Sequence, residues 1–150
     1  MDTSPSSEPS RGTPTYMGGA DLAGRFTDYY PAWIDKLADD ATVEGSLLDG
    51  AVQGAEAVRT LLVTIRGLYD RQEVTFAGPW GDDRFVEDYT AQVRGRPIGS
   101  VVVVSLNADG RAQHVAASYR PLSSVLFLSR LLGQKFAGTP YAEYFLAGES

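Results

Sequence analysis

The hydrophobic period of the chain changes near residue 71, and this change restricts the fold more than any other feature of the sequence. Before that point apolar residues recur mostly at helical spacing, whereas beyond Arg71 the helical period disappears and the segments as far as Arg120 have extended character. Alternation at every second position is typical of a strand with one buried face. Four segments are therefore predicted to be strands: Glu73–Ala77, Arg84–Val93, Ile98–Leu106 and Gln113–Arg120.

Two short connections join the last three of these strands. Arg94–Pro97 (RGRP) and Asn107–Gly110 (NADG) have the glycine-containing composition of hairpin turns. Strands that are joined by hairpins run antiparallel. The second half of the chain is therefore predicted to form an antiparallel meander.

The first half of the chain is predicted to contain helices on either side of one strand. From Ala20 apolar residues follow a helical period, and a break is expected at Pro31 because proline disfavours helix at the preceding residue. Ala41–Leu48 alternates as a strand would, and Gly54 then begins an amphipathic helix. The apolar face of that helix contains Val58, Leu61, Leu62, Ile65 and either Leu68 or Tyr69.

This order of elements predicts an α+β fold in which a cone-shaped, curved antiparallel sheet wraps around N-terminal helices and an apolar pocket. An extra C-terminal helix follows Pro121, and its apolar face is too broad for an exposed helix. That face contains Leu122, Val125, Leu126, Phe127, Leu128, Leu131 and Leu132. We expect a disordered tail over residues 1–19, a domain over 20–122, and an extension over 123–150 that packs on the domain or on a dimer partner.

Charge and composition exclude several function classes. A net charge of −6 and a pI near 4.7 disfavour nucleic acid and anionic membranes as partners, because both require clustered Lys and Arg. The chain has no cysteine, no apolar run of membrane-spanning length and no secretion signal, which predicts a cytoplasmic protein. His114 is the single histidine, and no nucleotide-binding motif occurs, so we expect neither a metal site nor a cofactor.

Glu87 is the most informative acidic residue. It is the one carboxylate on the apolar face of the strand Arg84–Val93. A carboxyl group that is buried in a pocket has a raised pKa and can serve as a general base or acid. The alternative is that Glu87 pairs with a nearby arginine and has no catalytic part.

Two tyrosines are predicted to accompany Glu87. Tyr89 shares its face of the strand, and Tyr119 has the corresponding position on the last strand. Phenol hydroxyls can donate hydrogen bonds to an oxyanion, although ordinary packing explains buried tyrosines equally well. The predicted catalytic set is therefore Glu87, Tyr89 and Tyr119. Asp49 is the second choice of acid, and it is expected in the turn after the first strand.

Several short strings of the sequence resemble one superfamily. Ala38–Gly45 (ADDATVEG) resembles the entry into the first strand of ketosteroid isomerases and of the wider nuclear transport factor 2-like families, which include polyketide cyclases of the SnoaL type. GAEAVR from Gly54, NADGR from Asn107 and YRP from Tyr119 add to the resemblance, which extends over Ala20–Leu122. It implies a curved sheet and helices around an apolar pocket, often in a dimer.

The resemblance also implies that the isomerase acids are missing. The general-base position falls on Gly45, and the acid that assists the oxyanion falls on Val102 or Val104, so neither position can transfer a proton. The helical tyrosine of the isomerases has its nearest candidates in Tyr29 and Tyr30. The inward-facing residues expected to bind a ligand are Tyr30, Trp33, Val43, Gly45, Leu47, Val102, Val104, Val115 and Ala117.

Two classes of function follow. In the first, a SnoaL-like protein binds a small hydrophobic molecule and acts as an acid–base isomerase or cyclase of a polyketide- or steroid-like substrate, without a cofactor. In the second, the protein is a non-catalytic ligand-binding or dimerisation module. The missing isomerase acids and the apolar C-terminal helix motivate the second reading.

Overall fold

The computed structural model describes residues 31–146, and all structural statements concern this range. Two α-helices are present, α1 (Ala55–Gly67) and α2 (Leu122–Lys135), together with two 3-10 helices, Ala32–Lys36 and Pro140–Tyr144. The strands are β1 (Leu37–Gly45), β2 (Val52–Gln53), β3 (Arg71–Pro79), β4 (Arg84–Val93), β5 (Arg96–Leu106) and β6 (Ala112–Arg120).

The six strands form one curved sheet in the order β2-β1-β6-β5-β4-β3. The four strands from β3 to β6 are an antiparallel meander, as predicted. The pair β1–β6 is parallel, because the chain crosses over from β1 through α1 and the meander before it returns beside β1. The sheet is thus antiparallel except for this pair, and the α+β cone predicted from the sequence is confirmed.

Element boundaries at the N-terminal end of β1 differ from the prediction. The strand begins at Leu37, whereas the helical period had been extended through that residue. In the structure a short 3-10 turn leads directly into the strand, and the side chains of Trp33 and Leu37 both reach the core. Two buried residues four positions apart also fit a helix, so their spacing did not distinguish the two geometries. Pro31 is extended and precedes the 3-10 turn. The predicted tail and the helical segment before Pro31 lie outside the described residues.

The core lies between α1 and the concave face of the sheet. Residues on this face occur in rows across the strands, because paired residues in register point to the same side. One row contains Glu87, Val102 and Ala117, and the next contains Tyr89, Ser100 and Tyr119. Helix α1 covers these rows with its apolar face, of which Val58, Leu61 and Ile65 are buried.

Gly45 is required by the close approach of two strands. A Cβ atom at this position would overlap the carbonyl oxygen of Ala117 on β6. Only glycine lets the end of β1 lie against β6 in this register.

Helix α2 follows β6 and packs against the sheet of its own chain. It contacts β5, β6 and the second 3-10 helix, and its buried residues include Leu128 and Leu132. The hydroxyl of Ser124 donates to the carbonyl of Pro97 at 2.7 Å and ties the start of the helix to β5. Neither helix in the described range has the length and apolar character needed to cross a membrane.

Candidate functional site

The concave face, α1 and the first 3-10 helix line a partly open cavity of about 40 Å³. We call it the central cavity. Its apolar wall contains Pro31, Ile34, Leu62, Ile65, Val102 and Ala117. Its polar lining contains Trp33, Arg66, Tyr69, Gln72, Glu87, Tyr89 and Tyr119. A space of this size holds on the order of three water molecules.

Glu87 lies on the floor of the central cavity. Its side chain points inward from β4, as strand alternation predicts, and only 2% of the residue is exposed. The indole Nε1–H of Trp33 donates to Oε2 of Glu87 at 2.8 Å. A buried carboxylate needs such hydrogen bonds, since burial without them is strongly unfavourable. The 3-10 helix is thereby joined to β4 across the cavity.

Three phenol groups gather beside Glu87. The hydroxyls of Tyr69 and Tyr89 are 2.7 Å apart, and their ring centroids are separated by 5.8 Å. Tyr119 is the third member of the group, facing Tyr89 across Ser100 in the sheet register. We call Tyr69, Tyr89 and Tyr119 the phenol cluster.

The phenol cluster has raised pKa values. Burial is the main cause for all three residues, and it raises the pKa of Tyr69 and Tyr89 well above the ordinary phenol value of about 10. Repulsion from the charge of Glu87 adds a smaller increase to the pKa of Tyr119. The phenols therefore remain protonated at neutral pH and serve as hydrogen-bond donors rather than as bases.

Ser100 lies beneath the phenol cluster on the central strand β5. The residue is fully buried, and its hydroxyl has no hydrogen bond of good geometry among the described residues. Ser100 is near enough to Tyr89 and Tyr119 to lower their pKa values. Burial raises the same pKa values and is the larger effect. A small residue between two tyrosines leaves room for their hydroxyls to converge.

The connection from α1 to β3 supplies polar lining that the sequence prediction missed. Arg66 lies in the last turn of α1, Tyr69 in the connection and Gln72 near the start of β3. The amide of Tyr69 donates to the carbonyl of Arg66 at 3.1 Å, which fixes the turn between them. Strand alternation places Gln72 on the same face as Val74. The predicted strand began at Glu73, so Gln72 was not considered.

The three predicted catalytic residues and three of the predicted ligand-binding residues line the central cavity together. The latter are Trp33, Val102 and Ala117. Tyr30 lies outside the described residues.

Five further residues predicted to bind a ligand do not line the central cavity. Val43, Val104 and Val115 form a packed row beyond Glu87 and are almost completely buried. The space beside Gly45 is filled by the backbone of β6 rather than by a ligand site. Leu47 lies in the turn after β1, where it faces α2 and the C-terminal segment. Strand parity located these residues on the concave face but did not indicate how far the cavity extends along it.

His114 is located on the convex face, as its strand parity predicts. Its Nδ1 is 2.6 Å from the hydroxyl of Thr42, and its Nε2 is 3.0 Å from a carboxylate oxygen of Glu44. Both partners belong to β1, so the histidine joins the parallel pair β1–β6. Within residues 31–146, no three His, Cys, Asp or Glu side chains are grouped so that they could hold a metal ion.

Solved structures with similar folds identify the architecture. A steroid delta-isomerase from Pseudomonas aeruginosa is 21% identical, with a TM-score of 0.64 over 69% of this chain and 77% of that chain. A protein with a cystatin-like fold from Silicibacter pomeroyi is 16% identical, with a TM-score of 0.65 over 71% and 74% of the two chains. A designed protein with a curved β-sheet is 15% identical, with a TM-score of 0.55 over 76% and 93%.

These similarities establish the fold. The chain shares the fold of these structures, which is the nuclear transport factor 2-like fold expected from the sequence. No family model matches the sequence, and no curated protein matches it significantly. At these identities the likeness concerns the backbone, and the chemistry has to be argued from the central cavity.

Proposed function

We propose that the protein binds a small hydrophobic carbonyl compound in the central cavity and isomerises or cyclises it by acid–base catalysis. The observation that carries the proposal is a carboxylate, Glu87, which is 2% exposed and lines the same small apolar cavity as three neutral phenols. A base next to hydrogen-bond donors is the arrangement that proton transfer beside a carbonyl requires.

In the proposed reaction Glu87 removes a proton from the carbon next to the carbonyl. The electron pair of the broken C–H bond moves to the carbonyl oxygen, and Tyr89 and Tyr119 donate hydrogen bonds to the resulting enolate. In a β,γ-unsaturated carbonyl compound the electron pair then returns from the enolate oxygen through the conjugated system, and Glu87 delivers the proton to the γ-carbon, which completes the isomerisation. Trp33 must release its hydrogen bond to Glu87, or share the carboxylate with the substrate, for the base to act.

Val102 and Ala117 lie in the same row of the sheet as Glu87 and are proposed to contact the apolar part of the ligand. The steroid delta-isomerase of similar fold is consistent with this class of reaction. In that superfamily the base comes from the first strand, where this chain has Gly45. Glu87 on β4 would therefore be a replacement base at a different place on the same concave face.

A panel of β,γ-unsaturated ketones of increasing size tests the proposal. Isomerisation moves the double bond into conjugation, so the absorbance of the conjugated enone measures the rate. We expect Glu87→Gln to lower kcat by roughly 10²- to 10⁴-fold, the usual contribution of a general base, while it preserves the shape of the side chain. Glu73→Gln, which alters an exposed carboxylate of β3, is the matched control.

A rate that survives Glu87→Gln would remove Glu87 as the base. Absence of turnover for every ketone in the panel would instead favour the second reading, a non-catalytic binding module. One observation favours that reading: about 40 Å³ is far below the roughly 300 Å³ of ordinary ligand pockets, so a larger substrate has to displace lining side chains. Ketones that bind without reacting would then establish the module.

We further propose that the protein is a homodimer and that it acts in the cytoplasm. Exposed apolar side chains support the dimer: Phe76 and Trp80 at one edge of the sheet, and Leu122 on α2.

A further inference from the structure

One buried hydroxyl next to the phenol cluster has no partner in the fold. Ser100 lies in the middle of β5 and is 0% exposed, and its Oγ makes no hydrogen bond of good geometry to any residue in the range 31–146. A buried hydroxyl without a hydrogen bond lowers the stability of a protein, and alanine at the same position would avoid this loss. The unpaired hydroxyl is therefore a candidate for a part that is not visible in the resting fold.

The neighbours of Ser100 in the sheet indicate what that part is. In the strand register Ser100 pairs with Tyr89 on one side and with Tyr119 on the other. All three side chains point to the concave face, because paired residues in register share a face. The same row ends on β3 at Val74, which has no polar side-chain atom. The polar groups that share this row with Ser100 are therefore the two phenols.

The proposed reaction requires a hydrogen-bond donor at this place. When Tyr89 and Tyr119 donate to the enolate, negative charge moves partly onto their own oxygens, and these oxygens become stronger acceptors. The O–H of a serine can donate to such an oxygen. Burial is the main influence on the two phenols and raises their pKa values, whereas Ser100 lowers them, as a donor to a phenol oxygen should.

We propose that Ser100 is a positioning residue of the proposed reaction, and that its hydroxyl donates to the oxygen of Tyr89 or Tyr119 while these phenols bind the enolate. The inference rests on the proposed function for the part of the two phenols, and it adds the donor beneath them. Ser100 is not among the residues that line the central cavity, so it acts through the phenols and not on the substrate.

The variant Ser100→Ala of the full chain tests this proposal with the panel of β,γ-unsaturated ketones. We expect kcat to fall roughly three- to tenfold with little change in KM, because the lost hydrogen bond strengthens only in the transition state. Ser105→Ala is the matched control, since Ser105 belongs to the same strand but is partly buried on the outward face, opposite His114. The control should keep the kcat of the wild type.

The acidity of the phenols gives a second measurement that does not depend on turnover. A rapid jump to alkaline pH, with phenolate absorbance recorded before the chain unfolds, follows ionisation in the folded protein. In Ser100→Ala the phenolates of Tyr89 and Tyr119 should appear at higher pH than in the wild type, because the donor that favours them is gone. Subtracting the curve of Tyr89→Phe separates the signal of Tyr89 from that of the other tyrosines. Ser105→Ala should give the curve of the wild type.

The melting temperature separates this part of Ser100 from a structural one. Ser100→Ala should keep or raise it, since the variant removes an unpaired buried hydroxyl. A clear fall would show that the hydroxyl serves the fold, and it would overturn the proposal.

The remaining outcomes distinguish the part of Ser100 from the proposed function. Ketone isomerisation that depends on Glu87, together with an unshifted phenolate curve or an unchanged kcat in Ser100→Ala, would overturn the part of Ser100 and leave the proposed catalysis intact. A shifted phenolate curve without turnover of any ketone would support the hydrogen bond from Ser100 and remove the proposed catalysis. Neither a shift nor turnover would overturn both.

Discussion

At the scale of single residues, burial determines the chemistry of the central cavity. Glu87 and the phenol cluster lie next to each other on one face of the sheet, but they differ in how they can act. In the proposed reaction the carboxylate is the proton acceptor, whereas the raised pKa values keep the phenols as hydrogen-bond donors. This division of parts needs no metal or cofactor in the proposed reaction.

The raised pKa values predict a loss of stability at high pH. The unfolded chain releases phenol protons from about pH 10, whereas the folded protein keeps them. Below that pH both states hold the proton, and the free energy of unfolding does not depend on it. Above it the free energy of unfolding should fall by up to about 1.4 kcal/mol per pH unit for each phenol, until the pH passes the folded-state pKa.

Urea unfolding between about pH 8 and pH 11 measures this effect. Tyr89→Phe should flatten the decline relative to the wild type, because phenylalanine has no proton to release. A decline of the same slope in both proteins would contradict the pKa assignment. The phenolate absorbance of the folded protein gives an independent reading of the same protons.

At the scale of elements, α2 is part of the fold rather than an appendage. Its two completely buried leucines pack against the sheet and the C-terminal 3-10 helix, which explains why its apolar face is so broad. Ser129 accepts a hydrogen bond from the amide of Leu146 at 3.0 Å, so the segment after α2 returns to the helix. The sequence prediction left open whether this helix packs on the domain or on a partner.

Two leucines of α2 provide a matched test of this packing. Leu128 is fully buried, whereas Leu126 is 36% exposed. We expect Leu128→Ala to lower the free energy of unfolding by about 2–5 kcal/mol, and Leu126→Ala by less than about 1 kcal/mol. Urea unfolding monitored by circular dichroism gives both values. Equal and small effects would mean that α2 contributes little to the stability of the domain.

At the scale of the whole molecule, the proposed dimer would bury apolar surfaces that are exposed in the single chain. A dimer should sediment with twice the chain mass of 16.2 kDa in analytical ultracentrifugation. Trp80→Ser, at the edge of the sheet, and Leu122→Ser, on α2, lie on different surfaces, so the variant that weakens association identifies the interface. Sedimentation as a monomer at all concentrations would refute the dimer.

Much of the fold could be predicted from local pattern. The alternation of side chains along β4 indicated which residues face inward. It correctly placed Glu87 and Tyr89 on the inward face, and both line the central cavity together with Tyr119. The parallel pairing of β1 with β6 could not be predicted in this way, because pairing between distant strands depends on how the whole sheet closes.

The sequence by itself determined the class of fold and the inward face of each strand, because hydrophobic periodicity is a local property of the chain. The resemblance to the isomerases also implied that their general base is missing here, since its position falls on Gly45. Only the tertiary structure decided where the cavity ends along those faces, since Val104 is packed core while Val102, two residues earlier, lines the cavity. It also brought Arg66 and Gln72 to the wall, because that depends on how the α1–β3 connection folds over the sheet.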